Sequence, residues 1–133
     1  MFDASATLTL ATASVQELHS ELIRRTQHNN FDGEQILADL LAQRETWRAV
    51  LFDTGLVSSG ESCGLIKLRD MAENIYNVDT LYILAVNESA AHRLAAFAEP
   101  WLVETVQTYS QEETNNLLGG CDDNLRLVEM WWD

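Results

Sequence analysis

The amino-acid sequence predicts a mixed α/β or α+β fold, a single domain in which helices cover a sheet of about four strands. Three observations carry that reading. Apolar or alternating runs suited to strands occur at Thr7–Thr12, Trp47–Asp53, Leu81–Val86 and Leu125–Trp132. Helix-start signals followed by apolar residues at helical spacing lie between them. A chain of 133 residues, 47% apolar, can bury one core and is too short for two ordinary domains.

The elements follow in order. Thr7-Leu8-Thr9-Leu10-Ala11-Thr12 alternates β-branched and apolar residues, as a short strand does. Ser14-Val15-Gln16-Glu17 is a capping box, in which hydroxyl and carboxylate each satisfy a backbone N–H at the helix start. Val15, Leu18 and Leu22 keep one helical face, with Ile23 beside them. Arg24, Arg25 and His28 fall in the last turns, where cations complement the helix dipole, and Asn29-Asn30 is the expected stop.

Asp32 and Gln35 form a second box, with Phe31 placed to staple onto Ile36. Ile36, Leu37, Leu40 and Leu41 make the buried stripe. Trp47–Asp53 reads as a strand, although Leu40, Trp47 and Leu51 also keep a helical face. Thr54 to Gly64, rich in Ser, Thr and Gly, reads as a loop.

Leu65, Leu68, Ala72 and Ile75 have the spacing of a short helix. Leu81–Val86 lacks polar residues and reads as a strand buried on both faces. Asn87 caps a helix over Ser89–Ala98, and Pro100 is placed to start another through Trp101, Leu102, Val106 and Tyr109. Ser110-Gln111-Glu112-Glu113 is a further capping box, Gly119-Gly120 a stop, and Leu125–Trp132 a last strand. Residues 7–53 and 80–133 therefore share a strand, helix, helix, strand plan. They read as two half-units joined by the loop and helix at 54–76, a pseudo-duplication around one sheet.

Charge and composition exclude several functions. Eight basic residues face twenty-one acidic ones, a formal charge of −13. That balance opposes direct nucleic-acid binding and docking on anionic lipid, both of which need clustered Lys and Arg. The longest apolar run, Leu81–Val86, is far short of the about 20 residues a membrane span needs. The first residues carry Asp3 and no Lys or Arg, unlike a secretory signal, so the expected location is cytoplasmic. Cys63 and Cys121 are then expected as free thiols.

Catalytic signals are weak. Cys63, after a Gly- and Ser-rich loop and ahead of a helix, is the one candidate nucleophile, yet His19, His28 and His92 stand at no diagnostic spacing from it. Cys121-Asp122-Asp123 offers mixed ligands, but there is no Cys-x-x-Cys pair and no EF-hand pattern, so no metal is expected. Glu88 and His92 suit a helix-surface pair better than an acid–base couple. Phosphate-loop motifs are absent, and Ser58-Ser59-Gly60 is at most a backbone nest. No cofactor is implied.

The acid is unevenly spread. From Glu99 onward there are eight acidic residues and one base, Arg126. Trp131-Trp132 places two indoles on opposite faces of one strand, so one of them is free to meet a partner or a second copy of the chain. The expectation is a small acidic interaction protein (adaptor, inhibitor or immunity-type factor) docking on a basic partner protein or forming a homodimer. Glu99, Glu104, Glu112, Glu113, Asp122 and Asp123 would steer the encounter, and Trp131 or Trp132 would anchor it. The alternatives are a cysteine-dependent enzyme using Cys63, and a ligand-binding regulatory domain using Asn87, Ser89 and Ala90 at the end of the Leu81–Val86 strand.

Overall fold

A computed structural model describes residues 9–56, 65–121 and 124–133. The first helix, α1 (Val15–Arg25), begins at the expected capping box: the Glu17 N–H donates to Ser14 Oγ at 3.0 Å, and the Ser14 N–H to Glu17 Oε1 at 2.8 Å. Upstream of it, the described part of the expected strand, Thr9 to Thr12, is not a strand. Thr7 and Leu8 lie outside the described residues. Thr9 to Ala13 is a turn, with the Thr12 and Ala13 N–H groups both donating to the Thr9 carbonyl. The Thr9 and Thr12 hydroxyls bond each other locally, which favours the turn over an extended strand.

Helix α1 stops at Arg25, before His28. The residues beyond it make a small hairpin, β1 (Gln27–His28) and β2 (Phe31–Asp32), turned through Asn29 at φ 47°. The hairpin brings α2 (Gly33–Ala42) hard against the end of α1. The Gly33 N–H donates to the Thr26 carbonyl at 2.9 Å, and a Cβ on Gly33 would lie 1.9 Å from the Ile23 carbonyl oxygen. Only glycine fits there. Asp32 caps α2 as expected, but the Gln35 side chain turns to Asp39 and not back to the cap.

A 3₁₀ turn leads into β3 (Trp47–Asp53), which is a strand and not a tail of α2. Helix α3 (Ile66–Met71) is short, and Leu65, Leu68, Met71 and Ile75 are all exposed, so their helical spacing does not mark a buried face. Strand β4 (Thr80–Ala85) is buried on both faces nearly throughout. Asn87 then caps α4 (Glu88–Ala95), its side chain accepting the Ala90 N–H at 2.8 Å.

The helix expected from Pro100 is replaced by a turn and by β5 (Thr105–Thr108). Trp101 and Val103 donate to the carbonyls of Phe97 and Ala98, closing the preceding helix. Leu102 then takes the left-handed region at φ 58°, which breaks any continuation. Pro100 therefore sits at a helix end. Helix α5 (Gln111–Leu117) starts at the Ser110–Glu113 capping box and stops at Gly119 and Gly120, both at positive φ. Strand β6 (Arg126–Trp131) completes the described elements.

The fold is α+β. Among the described residues the main sheet has four strands in the order β3-β4-β6-β5, every neighbour antiparallel. Residues 7–53 contribute one of these strands and 80–133 contribute three, so the halves differ in element order. One face carries Val50, Phe52, Leu81, Ile83, Val128 and Met130 into the core formed with α1, α2 and α4. At its centre Phe31 stacks on Phe52 at 4.3 Å, and Trp132 meets Phe31 edge-on at 4.8 Å. Burying side chains of this size stabilises by about 1.5–3 kcal/mol each. The opposite face carries the smaller cluster of Tyr82, Tyr109 and Leu127. No helix among the described residues is long and apolar enough to cross a membrane.

Candidate functional site

An open sheet has two edges, and the backbone groups facing outward there need partners or water. The antiparallel alternation identifies them. Trp132 donates to the Asp79 carbonyl on the β4 side, while Tyr109 donates to the Leu127 carbonyl on the β5 side. Residues 127, 129 and 131 of β6 thus face β5. By the same alternation Val50 and Phe52 face outward from β3, and Val106 and Thr108 outward from β5.

The β3 edge is closed along Val50 and Phe52. Gln16 on α1 donates to the Val50 carbonyl at 3.0 Å and accepts the Val50 N–H at 2.9 Å. His19, one turn on, accepts the Phe52 N–H through Nε2 at 2.6 Å, and the Tyr76 hydroxyl donates to the Phe52 carbonyl at 2.8 Å. Three side chains satisfy all four outward groups. Accepting through Nε2 requires a neutral imidazole with its proton on Nδ1. Burial pushes the His19 pKa below its ordinary value, and only the nearby Asp53 charge works against that.

At the end of β3, burial raises the Asp53 carboxyl. The ion pair with Lys67 and the Thr54 N–H outweigh it and hold the group below its usual range.

The β5 edge is open. All four residues of Thr105-Val106-Gln107-Thr108 are exposed, and no hydrogen bond among the described residues reaches the outward N–H and C=O of Val106 and Thr108. The strand carries no charge and no proline, the usual devices that discourage an added strand.

On the face away from the main core, Thr105 lies opposite Trp131 and Gln107 opposite Glu129. These four, with Asp79, line a cleft of about 430 Å³ beside the open edge. Half-buried Trp131 donates its indole N–H to Asp79 Oδ2 at 3.1 Å. The Tyr109 hydroxyl donates to Glu129 Oε1; burial first, then that carboxylate, drives the phenol pKa far above its ordinary value. The cleft thus presents two carboxylates beside an indole, a combination suited to a guanidinium or ammonium group.

Four of the acidic residues singled out from the sequence lie close to this edge along the chain. Glu104 immediately precedes β5. Glu112 and Glu113 occupy the first turn of α5, which follows it, and Glu99 lies in the turn before it; all four are exposed. Asp122 and Asp123 lie outside the described residues, as do Cys63 and Ser58-Ser59-Gly60. Trp132 is a correction: it is 1% exposed, packed on Phe31 and Phe52, and bonded through its indole N–H to the Trp101 carbonyl at 2.9 Å. Only Trp131 of the pair can meet a partner.

Among the described residues the three histidines lie apart from one another in role. His19 is spent on the β3 edge, His28 faces the Val78 carbonyl at 3.2 Å, and His92 is exposed on α4 near Glu88. Among the described residues no three His, Cys, Asp or Glu side chains gather in a way that could hold a metal ion. Asn87 uses its side chain on Ala90, and β4 runs antiparallel to both neighbours, so its end is not the crevice that parallel sheets form. Asp79, Glu129 and the Thr105–Thr108 strand were missed in the sequence. The alternation Thr-Val-Gln-Thr was the available signal, masked by the helical spacing of Trp101, Leu102, Val106 and Tyr109. Comparison with protein-family models, curated proteins and solved structures finds no match to this chain.

Proposed function

We propose that this chain is a small acidic docking protein, an adaptor, inhibitor or immunity-type factor, which binds a basic partner protein and performs no catalysis. The observation that carries the reading is the position of the open edge. Strand β5 lies inside the stretch between Arg93 and Arg126, where Glu99, Glu104, Glu112, Glu113, Asp122 and Asp123 occur and no Lys or Arg does. Its unpaired backbone offers hydrogen bonds, and the surrounding carboxylates choose the sign of the partner. Self-association through the same edge is disfavoured. Antiparallel pairing of two β5 strands would bring Glu104 of one copy toward the Glu112–Glu113 turn of the other.

Capture from the native cell at low and at high salt tests this, using the natural chain beside the triple variant Glu104→Gln, Glu112→Gln, Glu113→Gln. A basic protein retained at low salt, released at high salt and weakly held by the variant supports the reading. Partners that are acidic, or that ignore both salt and the variant, overturn it, because steered contacts are screened over about 8–10 Å near physiological ionic strength.

A further inference from the structure

Resting on that docking reading, we infer that the partner binds by strand addition: an extended basic segment pairs with the outer edge of β5 and becomes a fifth strand of the sheet. The asymmetry between the two edges carries the inference. At β3 all four outward groups, those of Val50 and Phe52, are occupied by Gln16, His19 and Tyr76. At β5 the four equivalent groups, on Val106 and Thr108, have no partner among the described residues. One edge is sealed by the fold itself and the other is left available as a template.

The flanking side chains specify the visitor. A strand beside β5 sends alternate side chains to opposite faces. On one face they lie over Thr105 and Gln107, next to Trp131, Glu129 and Asp79, where a lysine or arginine gains carboxylates and an indole ring. On the other face they lie by the side chains of Val106 and Thr108, where β-branched residues continue the strand and, at Thr108, meet a hollow also lined by Glu88, His92 and Arg126. The preferred segment alternates basic with β-branched residues over about four to six positions, the length of the strand it joins.

A panel of fluorescent eight-residue peptides alternating Arg or Lys with Thr or Val is the probe, with copies N-methylated at central backbone nitrogens. The protein is compared with Thr108→Pro, which removes an outward N–H and no bond to β6, and with Glu129→Gln. Unchanged circular dichroism and melting establish that each variant is folded. Strand addition predicts binding at low salt that falls at least tenfold on N-methylation and at least tenfold in Thr108→Pro, with the Val106 and Thr108 amides becoming protected from hydrogen exchange. N-methylation is read on the unaltered protein, so that arm holds even if the proline variant does not fold. Binding that responds to salt and to Glu129→Gln but ignores N-methylation overturns strand addition and leaves acidic docking standing. Failure of every peptide to bind at low salt overturns both.

Discussion

Gln16 and Val50 share two hydrogen bonds, the amide side chain donating at 3.0 Å and accepting at 2.9 Å. The glutamine thus imitates the neighbouring strand that β3 lacks. It ties α1 to the sheet edge and hides a surface on which another chain could pair.

Gln16→Ala removes both bonds and leaves the Val50 groups to water. The expected loss is about 1–2 kcal/mol, read as a lower urea midpoint with unchanged slope. Gln16→Glu should be worse, since a carboxylate then faces the Val50 carbonyl. Equal stability of the alanine variant and the natural chain counts against the closed-edge description.

His19 makes the same edge sensitive to acid. Its pKa is lowered in the folded chain, so the neutral ring is favoured by folding. The stabilisation is complete above the unfolded value of about 6.5 and is lost as pH falls through the lower folded value. Asp53 and Glu21, the latter brought to about 2 chiefly by hydrogen bonding to Arg24, weaken the fold only in stronger acid. Denaturation midpoints between pH 7 and pH 5 should fall for the natural chain and stay nearly level for His19→Gln, which keeps an acceptor and does not titrate. Parallel curves would exclude His19 as the origin.

Gly33 allows the end of α1 and the start of α2 to touch. In Gly33→Ala the new carbon lies 1.9 Å from the Ile23 carbonyl oxygen and 2.5 Å from that of Thr26. Both obstacles are backbone, so the helices must part. A loss of about 3 kcal/mol or more is expected, at the upper end of overpacking costs, seen as a sharp drop in Tm. An alanine variant melting within a few degrees of the natural chain contradicts this packing.

The adjacent tryptophans should behave as opposites. Trp132→Ala empties a site at the centre of the aromatic core and should cost about 3–5 kcal/mol. Trp131→Ala, beside the cleft, should cost far less and should weaken binding of the basic peptides. Acrylamide should quench the Trp131 emission in preference to that of Trp132. Similar stability losses from the two substitutions would refute the assignment of faces.

Much of the local structure was legible. The capping residues Ser14, Asp32, Asn87 and Ser110 all mark real helix starts, because a cap joins groups three residues apart. The apolar runs at Trp47–Asp53, Leu81–Val86 and Leu125–Trp132 are the strands that fill the core. Misreadings arose where one spacing fits two periods. Trp101, Leu102, Val106 and Tyr109 suit a helix, but Trp101 belongs to the core and Val106 to an exposed edge. The spacing of Leu65, Leu68 and Ile75 did mark a short helix, α3, but these side chains are exposed.

By itself, then, the sequence determined the helix starts, the core strands, the α and β content, and the acid-only stretch around residues 94–125. Tertiary structure alone decided the strand order, which tryptophan is buried, and which edge is sealed. The reason is range. Caps and periodicity act within one or two turns, whereas Gln16 meets Val50 across 34 positions and Trp132 meets Trp101 across 31. Such pairings depend on where the whole chain places two surfaces, and no local pattern of residues encodes that.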